Sequence, residues 1–271
     1  MELKMIAIDL DGTLLNSHGK ILPRTLAAIK TVLTRKIKVV FCTGRSLVGI
    51  QKYLRELGIN NQSDQYVITF NGAVIETTAG QVLSSCLINN QYYRTLTVFG
   101  QQHQLPFNVA VPDGRLYTAN YDVNRLIILQ AWENSAGLLI RQPKELPSDF
   151  EIAKGLYVGE KKLISQMEPL VTATFGQQLY IVRTSDNFLE VMHPKVSKGQ
   201  ALKKLSNICT IKSSEIMAIG DGENDIPLFD FAGIAVAMGN GTVRAKQHAD
   251  YVTADNDTDG VAAAIEKLAN N

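Results

Sequence analysis

The stretch AIDLDGTLLN, residues 7–16, sets two aspartates, Asp9 and Asp11, directly after the apolar run MIAI. Carboxylates beside a core are costly unless a partner compensates them. Candidate partners recur along the chain. Thr43, Gly44 and Arg45 follow the apolar run VVFC, Lys198 opens an expected helix, and GDGEND carries Asp221, Asn224 and Asp225 after IMAI. Together they offer several carboxylates, an ammonium, a hydroxyl and glycine-rich backbone donors. Such a set suits a hard, oxygen-seeking divalent cation such as Mg²⁺. It also suits a phosphoryl group, whose oxygens Lys198 and Thr43 would neutralise and hydrogen-bond.

These residues fall where strands are expected to end. MIAIDL, KVVFCTG and EIMAIGDG read as short, continuous apolar strands of the kind buried in parallel sheets. Helices alternate with them: PRTLAAIKTVLTRK, with Pro23 at N1, and VGIQKYLRELG, ending on Gly58 as a C-cap. QYVITFNGAVIE reads as a strand, an Asn-Gly turn and a second strand. In open α/β sheets ligands bind at the carboxyl ends of strands, so sites far apart in sequence can converge. Between residues 85 and 190 the pattern becomes mixed, with a hairpin signal at Asp113-Gly114 and more strands beside helices. It returns to helix and strand after residue 191. The expected organisation is α/β: a Rossmann-like parallel-sheet core from 1–84 and 191–271, interrupted by an inserted α+β cap domain over 85–190.

The 271 residues are 45% hydrophobic and 20% charged, enough for a sizeable core. With 27 basic and 26 acidic residues the net charge is +1, which gives no electrostatic reason to expect nucleic acid or an anionic membrane. Any phosphate must be met locally. Cys42, Cys86 and Cys209 are too few and too widely spaced for a disulfide framework or a CxxC metal site, and read as small hydrophobes in a reducing compartment. The N-terminus lacks a signal-peptide pattern and no run is long enough to span a membrane, so the expected location is cytoplasmic. Oligomeric state is not legible.

With DLDGT (9–13), TGR (43–45), SKG around Lys198 and GDGEND (220–225) in this order, the chain resembles the haloacid dehalogenase superfamily of phosphohydrolases, in its Cof-type branch. FNGA (70–73), FLEVM (188–192) and VAMGNG (236–241) extend the resemblance, although Gly241 stands where the family pattern has alanine. The resemblance implies an HAD-like core with a C2B-type cap, and a Mg²⁺-dependent phosphatase of small phosphorylated metabolites, with sugar phosphates the expected class. It implies that Asp9 is the nucleophile and that Asp11 is the general acid and base. Mg²⁺ would sit on Asp9, the backbone carbonyl of Asp11 and Asp221. Leu10 (through its amide), Thr43, Gly44, Lys198 and Asn224 would hold the phosphoryl oxygens, and Asp225 would orient Lys198 or a metal-bound water. Arg45 is either a substrate contact or a structural ion pair.

Other readings compete. A phosphomannomutase-like phosphomutase or phosphoryl transferase shares the early motif, and a receiver-like signalling module also phosphorylates an aspartate. Lys195 rivals Lys198. DNDTDGVAAAIE (255–266) fits the calcium-loop pattern through Asp255, Asp257, Asp259, Gly260 and Glu266, but a strand precedes it, which favours a turn and a helix N-terminus. His18, His103, His193 and His248 lack ligand spacing and read as surface or packing residues. Trp132 and the tyrosines of the insert read mostly as packing.

Overall fold

The structure, a computed structural model, describes residues 2–268. It forms two compact units, one from residues 2–44, 51–84 and 197–268, the other from 45–50 and 85–196. The chain opens with β1 (Met5–Ile8), α1 (Pro23–Thr34), β2 (Lys38–Cys42), α2 (Leu47–Leu57), β3 (Tyr66–Thr69), β4 (Val74–Thr77) and β5 (Val82–Ser85). The insert carries α3 (Asn90–Gln102), β6 (Phe107–Ala110), β7 (Leu116–Thr118), α4 (Arg125–Glu133), β8 (Leu138–Ile140), β9 (Lys154–Val158), α5 (Lys161–Phe175), β10 (Tyr180–Ser185) and β11 (Phe188–Met192). The first unit resumes with α6 (Lys198–Ile208), β12 (Ile216–Gly220), α7 (Ile226–Phe231), β13 (Ile234–Ala237), α8 (Val243–His248), β14 (Tyr251–Val252) and α9 (Gly260–Leu268).

The first unit is a Rossmann-like α/β fold. Its sheet runs β14-β13-β12-β1-β2-β3-β4-β5. The pairs from β14 to β3 are parallel and β4 returns antiparallel to β3. Every residue of β1 and β12 is buried, as continuous apolar runs in a doubly covered parallel sheet require. One face packs Met5, Ala7, Val40, Ile68, Ile216 and Ala218 against Leu202, Leu205, Leu228 and Phe229 of α6 and α7. Pro23 at the start of α1 uses a position where a missing amide proton is harmless. The sequence pattern did not disclose α8. It is only six residues long, too short for periodicity, and is set by Thr242, whose hydroxyl accepts the Ala245 amide.

The inserted unit is α+β, with sheet order β10-β11-β9-β6-β7-β8, antiparallel except for β7 beside β8. Phe107, Val109, Tyr157, Leu189 and Val191 share one core with α3 and α5 residues such as Leu96, Phe99 and Ile164. The alternate residues Leu156 and Val158 pack with Leu126 and Ile127 of α4. Gly114 has φ +92°, the left-handed geometry that the Asp113-Gly114 turn was expected to need. Trp132 and Tyr121, by contrast, are each 78% exposed rather than packed.

The calcium-like loop is a turn and helix start. β14 precedes it and α9 begins at Gly260. Its acids serve other ends: Asp257 accepts the Ser17 amide, Asp259 accepts the Thr25 hydroxyl, and Glu266 pairs with Arg24.

One buried carboxyl lies on β4. Glu76 accepts a hydrogen bond from the Thr69 hydroxyl at 2.8 Å, but burial prevails and pushes its pKa up to about 7. A folded-state carboxyl above its ordinary value favours the fold at low pH, and that contribution is lost as pH rises from about 4.5 to about 7. Glu76→Gln keeps the acceptor and removes the titration. Its stability advantage over the wild type, read by urea unfolding, should grow by about 2 kcal/mol between pH 5 and pH 8. A pH-independent difference would contradict the assignment.

Candidate active site

The register of the central strands places the first acids. β1 and β12 are neighbours with Ile8 opposite Ile219, so Asp9 emerges beside Gly220 and Asp221. The Asp9 amide continues the ladder to the Ile219 carbonyl at 2.9 Å. Lys198, the first residue of α6, is fully buried and reaches both Asp9 Oδ1 at 2.5 Å and Asp225 Oδ1 at 2.6 Å. Asp225 Oδ2 accepts the amides of Asp221 and Gly222, each at 3.0 Å. Both oxygens of Asp225 are therefore engaged in fixing Lys198 and the GDGEND loop. Asp221 Oδ1 accepts the Thr13 hydroxyl at 3.1 Å.

Two glycines allow this assembly. Gly12 has φ +80°, and a Cβ there would lie 2.6 Å from Asp221 Oδ2. A Cβ on Gly199 would fall 2.0 Å from the Pro227 carbonyl oxygen, so only glycine lets α6 start close enough for Lys198 to reach the acids.

A second line of contacts joins the remaining expected residues. Thr43 is buried at the end of β2, and its carbonyl accepts the Asn71 amide at 2.8 Å. A Cβ on Gly44 would lie 3.3 Å from the Asn71 side-chain amide, and Asn71 Oδ1 accepts Asn224 Nδ2 at 3.2 Å. Thr43, Gly44 and Asn224 are thus linked through Asn71. Leu10 has a buried side chain, and its carbonyl accepts the Leu15 amide at 2.9 Å. Asp11, one residue on, is exposed in the same turn. Arg45 is half-buried and opens segment 45–50, which groups with the inserted unit. Lys195 is exposed, so Lys198 is the lysine gathered with the acids.

Site-building residues absent from the expected set are Asn71 and Thr13. Asn71 is buried and left-handed, φ 57°, and its signal was the FNG triplet after an apolar strand. Thr13 was visible as the last letter of DLDGT.

Electrostatically the cluster lacks positive charge. One carboxylate oxygen each from Asp9, Asp221 and Asp225 lies within 4.8 Å of the others, and Lys198 bridges Asp9 and Asp225. Burial, then the Asp225 charge, hold Asp9 well above the carboxylate range despite Lys198. The same two causes, in that order, push Asp221 up to about 6. Burial works against the Lys198 charge, but Asp225 and Asp9 outweigh it and keep the ammonium protonated. An all-oxygen donor set of buried and half-buried, undercompensated carboxylates fits a hard divalent cation.

Residues 6–265 match the sequence model of a family described as haloacid dehalogenase-like hydrolase. Phosphatase YwpJ of Bacillus subtilis (strain 168) is 32% identical over 293 residues, covering 98% of this chain and 100% of its own length. The 5-amino-6-(5-phospho-D-ribitylamino)uracil phosphatase YwtE of the same organism is 28% identical over 290 residues, 98% of each chain. Among solved structures, a haloacid dehalogenase-like hydrolase from Bacteroides thetaiotaomicron aligns at TM-score 0.87 and 28% identity, covering 98% of this chain and 100% of the other.

Asp221→Asn tests the charge imbalance. A carboxyl raised to about 6 opposes the metal-free fold as pH rises from 3.8 through 6. The variant, free of metal at pH 7.5, should therefore be more stable than the wild type by about 1–2 kcal/mol in thermal unfolding. It should also lose the rise in Tm that Mg²⁺ gives the wild type. A destabilised variant that still responds to Mg²⁺ would contradict this picture.

Proposed function

The chain belongs to the haloacid dehalogenase-like hydrolases and is a phosphatase, and from that premise we propose that it hydrolyses phosphate monoesters of small metabolites, sugar phosphates foremost, through an aspartyl phosphate on Asp9. The observation that carries this reading is the buried Asp9–Lys198–Asp225 arrangement with Asp221 beside it. A nucleophilic carboxylate must be held still, relieved of repulsion from a phosphate dianion and shielded from water. Lys198 fixes one Asp9 oxygen, and burial excludes water.

In the first step an Asp9 oxygen attacks phosphorus and the ester P–O bond breaks. Asp11 gives its proton to the departing alkoxide. In the second step Asp11, now the base, takes a proton from water, which attacks phosphorus and frees Asp9 and inorganic phosphate. The Leu10 and Gly44 amides, the Thr43 hydroxyl, the Lys198 ammonium and the Asn224 amide hold the phosphoryl oxygens in line. Asp9, the Asp11 carbonyl and Asp221 would hold Mg²⁺, which would supply positive charge that offsets repulsion between nucleophile and phosphate. Arg45 contributes to substrate binding, and residues 85–190 form the inserted cap domain. The 5-amino-6-(5-phospho-D-ribitylamino)uracil phosphatase name borne by one relative supports a phosphorylated polyol or sugar chain as the substrate.

The test is an initial-rate screen of phosphorylated metabolites with Mg²⁺. Phosphate release should disappear with EDTA and fall by about a thousandfold or more in Asp9→Asn. In kcat/KM, which reports the first transfer, Asp11→Asn should lose about a hundredfold or more on alkyl phosphates and much less on an aryl phosphate, whose leaving group needs no proton. Rearranged phosphate ester in place of free phosphate, or equal losses of kcat/KM on both ester types, would overturn the assignment.

A further inference from the structure

Away from the acid cluster, a second nucleophile sits against a base. Cys86 Sγ lies 2.9 Å from His193 Nδ1, across a sequence separation of 107 residues. Both belong to the inserted unit, near the points where the chain enters and leaves it, and both are half-buried. Nδ1 also accepts the Lys195 backbone amide at 3.2 Å. An imidazole nitrogen that accepts an N–H carries no proton itself, so the ring proton sits on Nε2. The thiol is then the donor of the Cys86–His193 hydrogen bond, and Nδ1 is placed to take its proton.

Among the described residues no imidazole is placed against the other cysteines in this way. Cys42 is buried at the end of β2, where burial pushes its thiol far up. Cys209 is half-buried, like Cys86, but burial raises its thiol as well, against a smaller opposing effect of Lys38. Thiolate character governs cysteine reactivity, and a neighbouring imidazole is among the environments that promote it.

We propose that Cys86 is a site of reversible thiol modification, with His193 as its proton acceptor and a small disulfide of the oxidised-glutathione class as its co-reactant. The thiol proton passes to Nδ1 and displaces the long Lys195 contact. The Cys86 sulfur attacks one sulfur of the disulfide, the S–S bond breaks, and a mixed disulfide forms on Cys86. The leaving thiolate takes the proton from His193. One thiol and one disulfide become another thiol and another disulfide, with no further oxidant.

The experiment exposes the full chain to oxidised glutathione at neutral pH and follows the adduct at each cysteine by peptide mass spectrometry. A base that takes the thiol proton increases the thiolate fraction, the gain being tempered because a more acidic thiol is a weaker nucleophile, and the net advantage is about threefold over an ordinary thiol and about tenfold over one raised by burial. Cys86 should therefore react about tenfold faster than Cys209. His193→Asn separates acceptor from base, because Asn Oδ1 stands in for Nδ1 toward both donors but takes no proton. It should slow Cys86 about threefold and leave Cys209 unchanged. Cys42 reports on the fold: if it becomes reactive in the variant, the wild-type comparison of Cys86 with Cys209 decides alone. A Cys86 no faster than Cys209, or unaffected by His193→Asn in a protein whose Cys42 stays protected, would overturn the proposal.

Discussion

A single ammonium, that of Lys198, lies between the carboxylates of Asp9 and Asp225, with Asp221 at their side. Three acids around one cation leave a buried negative excess, and removing one partner from such a pair typically costs about 3–5 kcal/mol. The surrounding fold is what makes the arrangement tolerable. Adjacent parallel strands bring Asp9 to the GDGEND loop, α6 must begin at Lys198, and Gly199 must leave room for the Pro227 carbonyl. Asp225 is tied to two amides of its own loop and cannot relax away.

That imbalance is useful for phosphoryl chemistry. A site neutral by itself would gain little from a divalent cation, and a site without Lys198 would repel a phosphate dianion. Held as it is, the cluster favours positive charge, and Asp9 and Asp221 are kept at raised pKa by burial and by the Asp225 charge. The same physics sets a stability cost at neutral pH that binding of a cation relieves. Perturbed carboxyls of this kind are common where catalysis is performed.

Much of this was legible in the sequence for definite reasons. Continuous apolar runs ending in Asp9, Thr43 and Gly220 announced buried parallel strands, and parallel sheets gather their strand ends. The calcium-like loop could be set aside because YVT reads as a strand, and α9 does begin at Gly260. Asn71 was harder. Its importance comes from a buried left-handed backbone and contacts to Gly44 and Asn224, none of which a propensity encodes. The helix α8 was too short to show a period. The Cys86–His193 pair depends on a meeting of residues far apart in sequence, where neither residue alone has motif spacing. Trp132 was expected among packed aromatics and stands exposed instead, since a lone aromatic on an amphipathic helix carries no sign of which face is covered.

The central claim is that the acids at Asp9 and Asp221 are held one cation short. Titration calorimetry of Mg²⁺ into the wild-type protein near pH 6, repeated in buffers of different ionisation enthalpy, measures the protons exchanged on binding. The account predicts release of about one proton per bound ion, because a cation expels protons from carboxyls held at raised pKa. Binding with no proton release at that pH would contradict it.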